Sequence, residues 1–179
     1  VLLPYGGSTS FVAIAHAYYH IGEVLTNGVP VPEAAGLSVF TSIWNDVTAT
    51  GDVVAVFAEN VTANTGTPEW WLALHGWASD FEAAATNDTD FDGVPASDEY
   101  LADTIPTNGA SYLHLIGIST GGVDWVGGTG VVQYVEQCTA PGSNEWSALA
   151  TNLPPTPETN SLALDGGASN ACIRIRAER

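Results

Sequence analysis

The sequence predicts a mainly β protein with a central helix–calcium loop–helix, that is, two small β modules flanking an EF-hand-like loop. Three observations predict it: apolar and polar residues alternate between turn signals at both ends of the chain, acidic residues in the middle fall at calcium-ligand intervals, and helical spacing appears beside that acidic stretch. The boundaries that follow are residues 1–64 for a β-rich module, 65–110 for the helix–loop–helix segment and 111–179 for a β-sandwich.

In the first module the turn signals TNG and ATG separate alternating runs, the clearest being GDVVAVFAEN. It sets Val53, Ala55 and Phe57 on one face and Val54, Val56 and Ala58 on the other. Both faces are apolar, which predicts a strand in the middle of a sheet.

The succession PYGGSTSFVAIA, AYYHIGEVLTNGVPV, FTSIWNDVTATGDVVAVFAEN resembles the divergent bacterial repeats related to internalin B-repeats, over about sixty residues and through Tyr19, His20, Ile21, Asn27, Gly28, Val47, Thr48 and Phe57. The resemblance implies a small β-rich module of a cell-surface protein. Such modules begin with a further strand or hairpin ahead of the Y-G-x-S turn, and the sequence shows none, so the module is expected to lack its first strand and to expose an open edge that a strand from another chain can fill. The other reading is that the strand lies upstream of Val1, where the chain is expected to start at a processed end or a fragment boundary.

The middle stretch NDTDFDGVPASDE carries the metal chemistry. Counted from Asp88, the carboxylates of Asp88, Asp90 and Asp92 fall at loop positions 1, 3 and 5, Gly93 at 6, Val94 at 7 where a backbone carbonyl serves, and Glu99 at 12 as a bidentate closer. A Gly at position 6 takes a left-handed turn at little cost. Four carboxylates so close together repel one another, and with no Lys anywhere in the chain a divalent cation is what would neutralise them. Oxygen ligands point to Ca2+, and the absence of His or Cys at the site disfavours zinc. Pro95 at position 8 argues for a single unpaired loop, as in dockerin-like and thrombospondin type 3 modules. Extracellular loops of this kind bind calcium at roughly 0.1 to 1 mM, which makes the ion structural.

Ahead of the loop, Thr67-Pro68-Glu69 opens a helix with a cap residue, a Pro in the first turn and an acid that suits the helix dipole. WWLALHGWASDFEAAAT then sets Trp70, Leu74, Trp77 and Phe81 on one stripe, with Gly76 as a break; core packing explains the stripe without a ligand. An exit helix is expected from about Ala96 to Asp103, ending before Pro106. The run from GTPEWWL through the Asp-rich loop to EYLADTIPTNG resembles a segment near the C-terminus of exported proteins of planctomycete and verrucomicrobial type. It departs at Phe91, where that family has Gly, and at Ile105, where it has Asp, which puts an outer ligand or cap in question.

Beyond Ser111, YLHLIGIS, VDWVG, VVQYVEQC, SLALD and ACIRIRAE read as strands joined partly by the Pro-rich NLPPTPETN. The last sets Ile173 and Ile175 inward and Arg174 and Arg176 outward. These strands resemble the fibronectin-like sandwich that follows the calcium segment in the same exported proteins. Cys138 and Cys172 lie in two of them, and the pair reads either as a disulfide suited to an exported protein or as two buried thiols. Glycine pairs at Gly6, Gly121, Gly127 and Gly166 read as turns.

A formal charge of −17 repels nucleic acid and anionic membrane and recruits cations. The most apolar run, Phe11 to Leu25, is interrupted by His16, His20 and Glu23 and is too short to cross a bilayer. The three basic residues, Arg174, Arg176 and Arg179, sit together at one end and are expected to contact an acidic neighbour in an assembly. Asn60 and Asn87 each begin an N-glycosylation triplet, with Asn60 favoured because sugar at Asn87 would crowd the loop. No catalytic fingerprint is present, and His16, His20, His75 and His114 show no metal spacing. The expectation is a non-enzymatic extracellular structural protein, self-associating into a homopolymer such as a filament or surface layer. The alternative is a terminal targeting or carbohydrate-binding module with Trp70, Trp71 and Trp77 as its platform.

Overall fold

A computed structural model of the chain describes residues 2–119, 121–139, 144–164 and 172–179; the turn at Gly166 and the start at Val1 lie outside these. Among these residues the fold is mainly β with three short α-helices. It divides into two compact units, one formed by the chain up to Thr62 with Pro68–Ala73, the other by Ala63–Thr67 with Leu74–Arg179. The acidic middle segment, expected to be a module of its own, thus belongs to the same unit as the C-terminal strands.

In the first unit β1 (Gly7–Ile14) pairs antiparallel with β4 (Val39–Val47), while β2 (Tyr19–Thr26) lies between β3 (Val29–Pro30) and β5 (Val53–Glu59). The TNG signal makes the β2–β3 hairpin: Asn27 and Gly28 take φ of 52° and 75°, the positive values a two-residue hairpin loop needs. Buried Ala13, Ile21, Val24 and Ala34 form the core, with Phe11, Val31, Phe40 and Ala55 packed against them. The position of β5 corrects the sequence reading. It is an edge strand bonded only to β2, and Val53, Val54, Val56 and Phe57 are exposed. A run apolar on both faces becomes a central strand only if neighbours cover it, and among the described residues β5 has one.

The first helix, α1 (Glu69–Leu74), starts where Thr67-Pro68-Glu69 places it, with Trp71 N and Leu72 N donating to Pro68 O at 3.1 and 3.3 Å. The expected stripe does not run on. The helix stops at Leu74, which is 73% exposed, and a separate helix, α2 (Phe81–Thr86), begins after Asp80 in the left-handed region. Gly76 breaks the helical period, so Trp70 and Phe81 belong to different helices.

The second unit continues with α3 (Ala96–Ala102) and a sandwich of two antiparallel sheets. One sheet joins β6 (His114–Ser119), β7 (Gly122–Val126) and β10 (Thr159–Ala163) in the order β10-β7-β6. The other joins β8 (Val132–Cys138), β9 (Ser147–Asn152) and β11 (Cys172–Glu178) in the order β11-β8-β9. Val123 and Trp125 from one sheet meet Val135 from the other, with Leu113, Leu162, Ile173 and Ile175 around them. The alternation expected on β11 holds. β9 was not visible in the sequence, because SALATN is built of weak strand formers and owes its conformation to pairing with β8.

On the outer face of the β8–β11 pair, Cys138 stands opposite Cys172, Glu136 opposite Arg174 and Tyr134 opposite Arg176. The two cysteines stand here as thiols, Cys138 buried and Cys172 exposed, so the reading of two buried thiols does not hold. The arginines are paired within the chain. Arg174 Nε bonds Glu136 Oε2 at 2.7 Å and its guanidinium lies over Trp146, Arg176 bonds Glu178 Oε2 at 2.9 Å and lies over Tyr134, and Arg179 bonds Asp103 and lies over Tyr100. With 20 acidic residues against 3 basic ones, each guanidinium finds a carboxylate in its own chain while its side chain stays partly exposed.

Candidate metal centre

The acidic loop spans the gap between α2 and α3, and its ends are tied where Ala96 N donates to Asn87 O at 3.1 Å. Short side chains in a tight turn fold back on their own backbone. Asp88 Oδ1 accepts from Phe91 N at 2.8 Å and Asp92 N at 3.2 Å, and Asp88 Oδ2 from Gly93 N at 2.9 Å. Asp92 Oδ1 accepts from Val94 N at 2.9 Å, which fixes Val94 at the position whose carbonyl is expected to serve as a ligand. Gly93 at position 6 takes φ of 95°, the turn for which glycine was expected there.

These bonds satisfy one side of the loop and leave the other unpartnered. Both carboxylate oxygens of Asp90 and Oδ2 of Asp92 are shut off from solvent without a hydrogen bond. One oxygen each from Asp88, Asp90 and Asp92 lies within 4.8 Å of the others. Among the described residues no basic side chain pairs with them, because the arginines are bonded to Glu136, Glu178 and Asp103. An ionised carboxylate buried without a partner costs several kcal/mol, and the group responds by holding its proton. The pKa of Asp90 is accordingly raised, by burial first and then by the charges of Asp92 and Asp88.

Glu99, the expected closer, stands on α3 and is 1% exposed. It is not part of the three-aspartate cluster. Its pKa is pushed up to about 8, mainly by burial and further by the negative charges of Asp90, Asp92 and Asp88, while a hydrogen bond from Thr104 Oγ1 to Glu99 Oε1 at 3.2 Å works in the opposite direction. Thr104 is a participant that the sequence did not reveal; the only cue is its place five residues after Glu99.

Two further contacts hold the site from outside. Asp103, in the left-handed conformation at the end of α3, accepts from Gly130 N at 2.8 Å and from Arg179, anchoring the exit helix to the sandwich. Gly109 lies so close to the loop that a Cβ there would stand 3.1 Å from Asp90 O, so this position admits no larger residue without displacing the loop. Ile105, where the resemblance implies an acid, donates its backbone N–H to Ser111 Oγ, and its side chain is exposed.

The donor set fits a hard divalent cation: converging carboxylates, buried unpartnered oxygens, and no His or Cys among the clustered residues. The other expected sites fare differently. Asn60 is half-buried with Oδ1 bonded to His20 Nδ1 at 2.8 Å, and Thr62 of its triplet is buried, while Asn87 is exposed with Nδ2 donating to Thr89 Oγ1 at 3.1 Å. Accessibility therefore favours Asn87, against the sequence ranking. Trp71 is buried and presents no open stacking surface for a sugar, while Trp70 is half-buried with its Nε1 shut off from solvent. No known protein family, curated protein or solved structure matches the chain.

Proposed function

We propose that the protein is a calcium-stabilised, non-enzymatic structural protein of an extracellular assembly, in which copies of the chain join along open strand edges into a filament or layer. The observation that carries the assembly is β5, an edge strand whose Val53, Val54, Val56 and Phe57 face solvent. The two-stranded β1–β4 sheet adds exposed Val12, Ile14, Val39 and Ile43. Natural edges usually carry charge, proline or a bulge that blocks pairing; β5 carries no charge or proline before Glu59, and such an apolar stretch accepts another strand. Calcium supports this role by neutralising the buried carboxylates of Asp90 and Asp92, with Asp88, Val94 and Glu99 completing the loop register. The helix–calcium loop–helix is part of this reading, as is the resemblance to exported surface proteins.

A formal charge of −17 makes copies repel, so association is expected to strengthen with ionic strength and with millimolar calcium. Light scattering on the purified protein over a concentration series tests the assembly. The expected result is a growing oligomer that Val56→Lys, a charge placed on the β5 edge, returns to monomer with its circular dichroism unchanged. A folded wild-type monomer at high protein, salt and calcium concentration rejects the assembly and leaves the calcium site standing.

A further inference from the structure

We propose that Cys138 and Cys172 are a cross-strand redox pair, closed into a disulfide by exchange with a small-molecule disulfide that enters at Cys172. The register sets the two residues directly opposite each other at the end of the β8–β11 pair. Opposed residues of an antiparallel pair project from the same face with Cα atoms about 4.5–5.5 Å apart, inside the roughly 4.4–6.8 Å that a disulfide spans. Access differs between them: Cys172 is exposed and Cys138 only 2% so. The exposed thiol can meet a reagent and the buried one is placed to resolve the product.

The exchange runs in two balanced steps. The Cys172 thiolate attacks one sulfur of the small disulfide, a new S–S bond forms, and the departing thiolate takes up a proton. The Cys138 thiolate then attacks the Cys172 sulfur, joins the two cysteines and releases the second small thiol. Two protein thiols are oxidised, and one small disulfide is reduced to two thiols. The bond would pin the start of β11, which among the described residues pairs in its sheet with β8 alone. This strand brings Ile173 and Ile175 to the core and leads to the Arg179 contact with Asp103, so the staple would act on the second unit as a whole. It requires neither calcium nor self-association.

Fully reduced protein exposed to glutathione disulfide, then alkylated, digested without reductant and analysed by mass spectrometry, tests the pair. The wild-type chain is expected to lose both alkylatable thiols, to yield a peptide linking Cys138 with Cys172, to keep no glutathione, and to melt at a higher temperature than its reduced form. Cys138→Ser, lacking the resolving thiol, should hold glutathione on Cys172. If that variant does not fold, Cys172→Ser takes its place, and its Cys138 should stay unmodified. A wild-type chain that retains glutathione, keeps both thiols, or links between chains overturns the proposal.

Discussion

Replacing Trp125 with alanine is expected to remove most of the stability of the second unit. Trp125 is 1% exposed and stands between the two sheets of the sandwich. Its Nε1 donates to Gln133 Oε1 at 2.6 Å, and Gln133 Nε2 in turn donates to Gly128 O at 2.6 Å and to Thr156 Oγ1 at 3.2 Å. Truncation takes away the largest side chain of that core, at about 3–5 kcal/mol for a buried aromatic. It also strands the Gln133 carbonyl inside the protein, at about 1–3 kcal/mol more. The sum approaches the whole stability of an ordinary domain, about 5–15 kcal/mol. Urea denaturation followed by circular dichroism is expected to show the Trp125→Ala transition at far lower denaturant or not at all. Trp125→Phe keeps much of the packing and drops only the indole donor, so it should lose only the smaller, polar part. Equal losses in the two variants would mean that packing of the indole contributes little and that the Gln133 network decides the stability.

The sequence showed the acidic loop in detail because each of its positions depends on residues close by in the chain. Spacing alone brings Asp88, Asp90 and Asp92 together, while the turn of Asp88 onto the backbone of Phe91, Asp92 and Gly93 is seen only in the structure. The strands of the first unit and the inward and outward sides of β11 were legible for the same reason, since alternation is local. What the sequence did not reveal depended on partners far away. The apolar faces of β5 read as a central strand, yet its place is decided by how many strands lie beside it. SALATN has no strand signature and becomes β9 by pairing with β8. The arginines read as a free patch because Glu136 lies 38 residues from Arg174, and Asp103 76 residues from Arg179. Burial of Glu99 was equally invisible, because an acid in the first turn of a helix reads as solvated until the surrounding chain covers it.

That burial gives the acidic loop a pH dependence of definite sign. The pKa of Glu99 rises from its ordinary 4.5 to about 8 in the folded, metal-free chain. Between those values the folded protein holds a proton that the unfolded chain has lost, so the stability tied to this group is present at acid pH and falls away as pH rises toward 8. The raised pKa of Asp90 acts in the same direction. Chelator-treated protein is therefore expected to melt at progressively lower temperature from about pH 5 to pH 8, at about 1.4 kcal/mol of stability lost for each pH unit over which one proton separates the folded from the unfolded chain. Calcium should reverse this by favouring the ionised carboxylates. At a concentration about a hundred times the dissociation constant it adds about 2.7 kcal/mol, or roughly 10 °C in melting temperature for a domain of this size. With Glu99 as the proposed closing ligand, calcium would displace its proton, and affinity is then expected to weaken by about tenfold per pH unit below 8. Calorimetry in buffers of different ionisation enthalpy should register about one proton released per calcium bound near pH 7. Glu99→Gln keeps an acceptor for Thr104 Oγ1 and removes the titrating charge. It should flatten the chelated pH profile, stabilise the metal-free protein at pH 8 and weaken calcium binding. Asp90→Asn should likewise stabilise the metal-free chain while losing the calcium response, because it relieves the repulsion that the ion would otherwise cancel. If both variants kept the wild-type pH slope and calcium response, the buried carboxylates would not be the source of either effect.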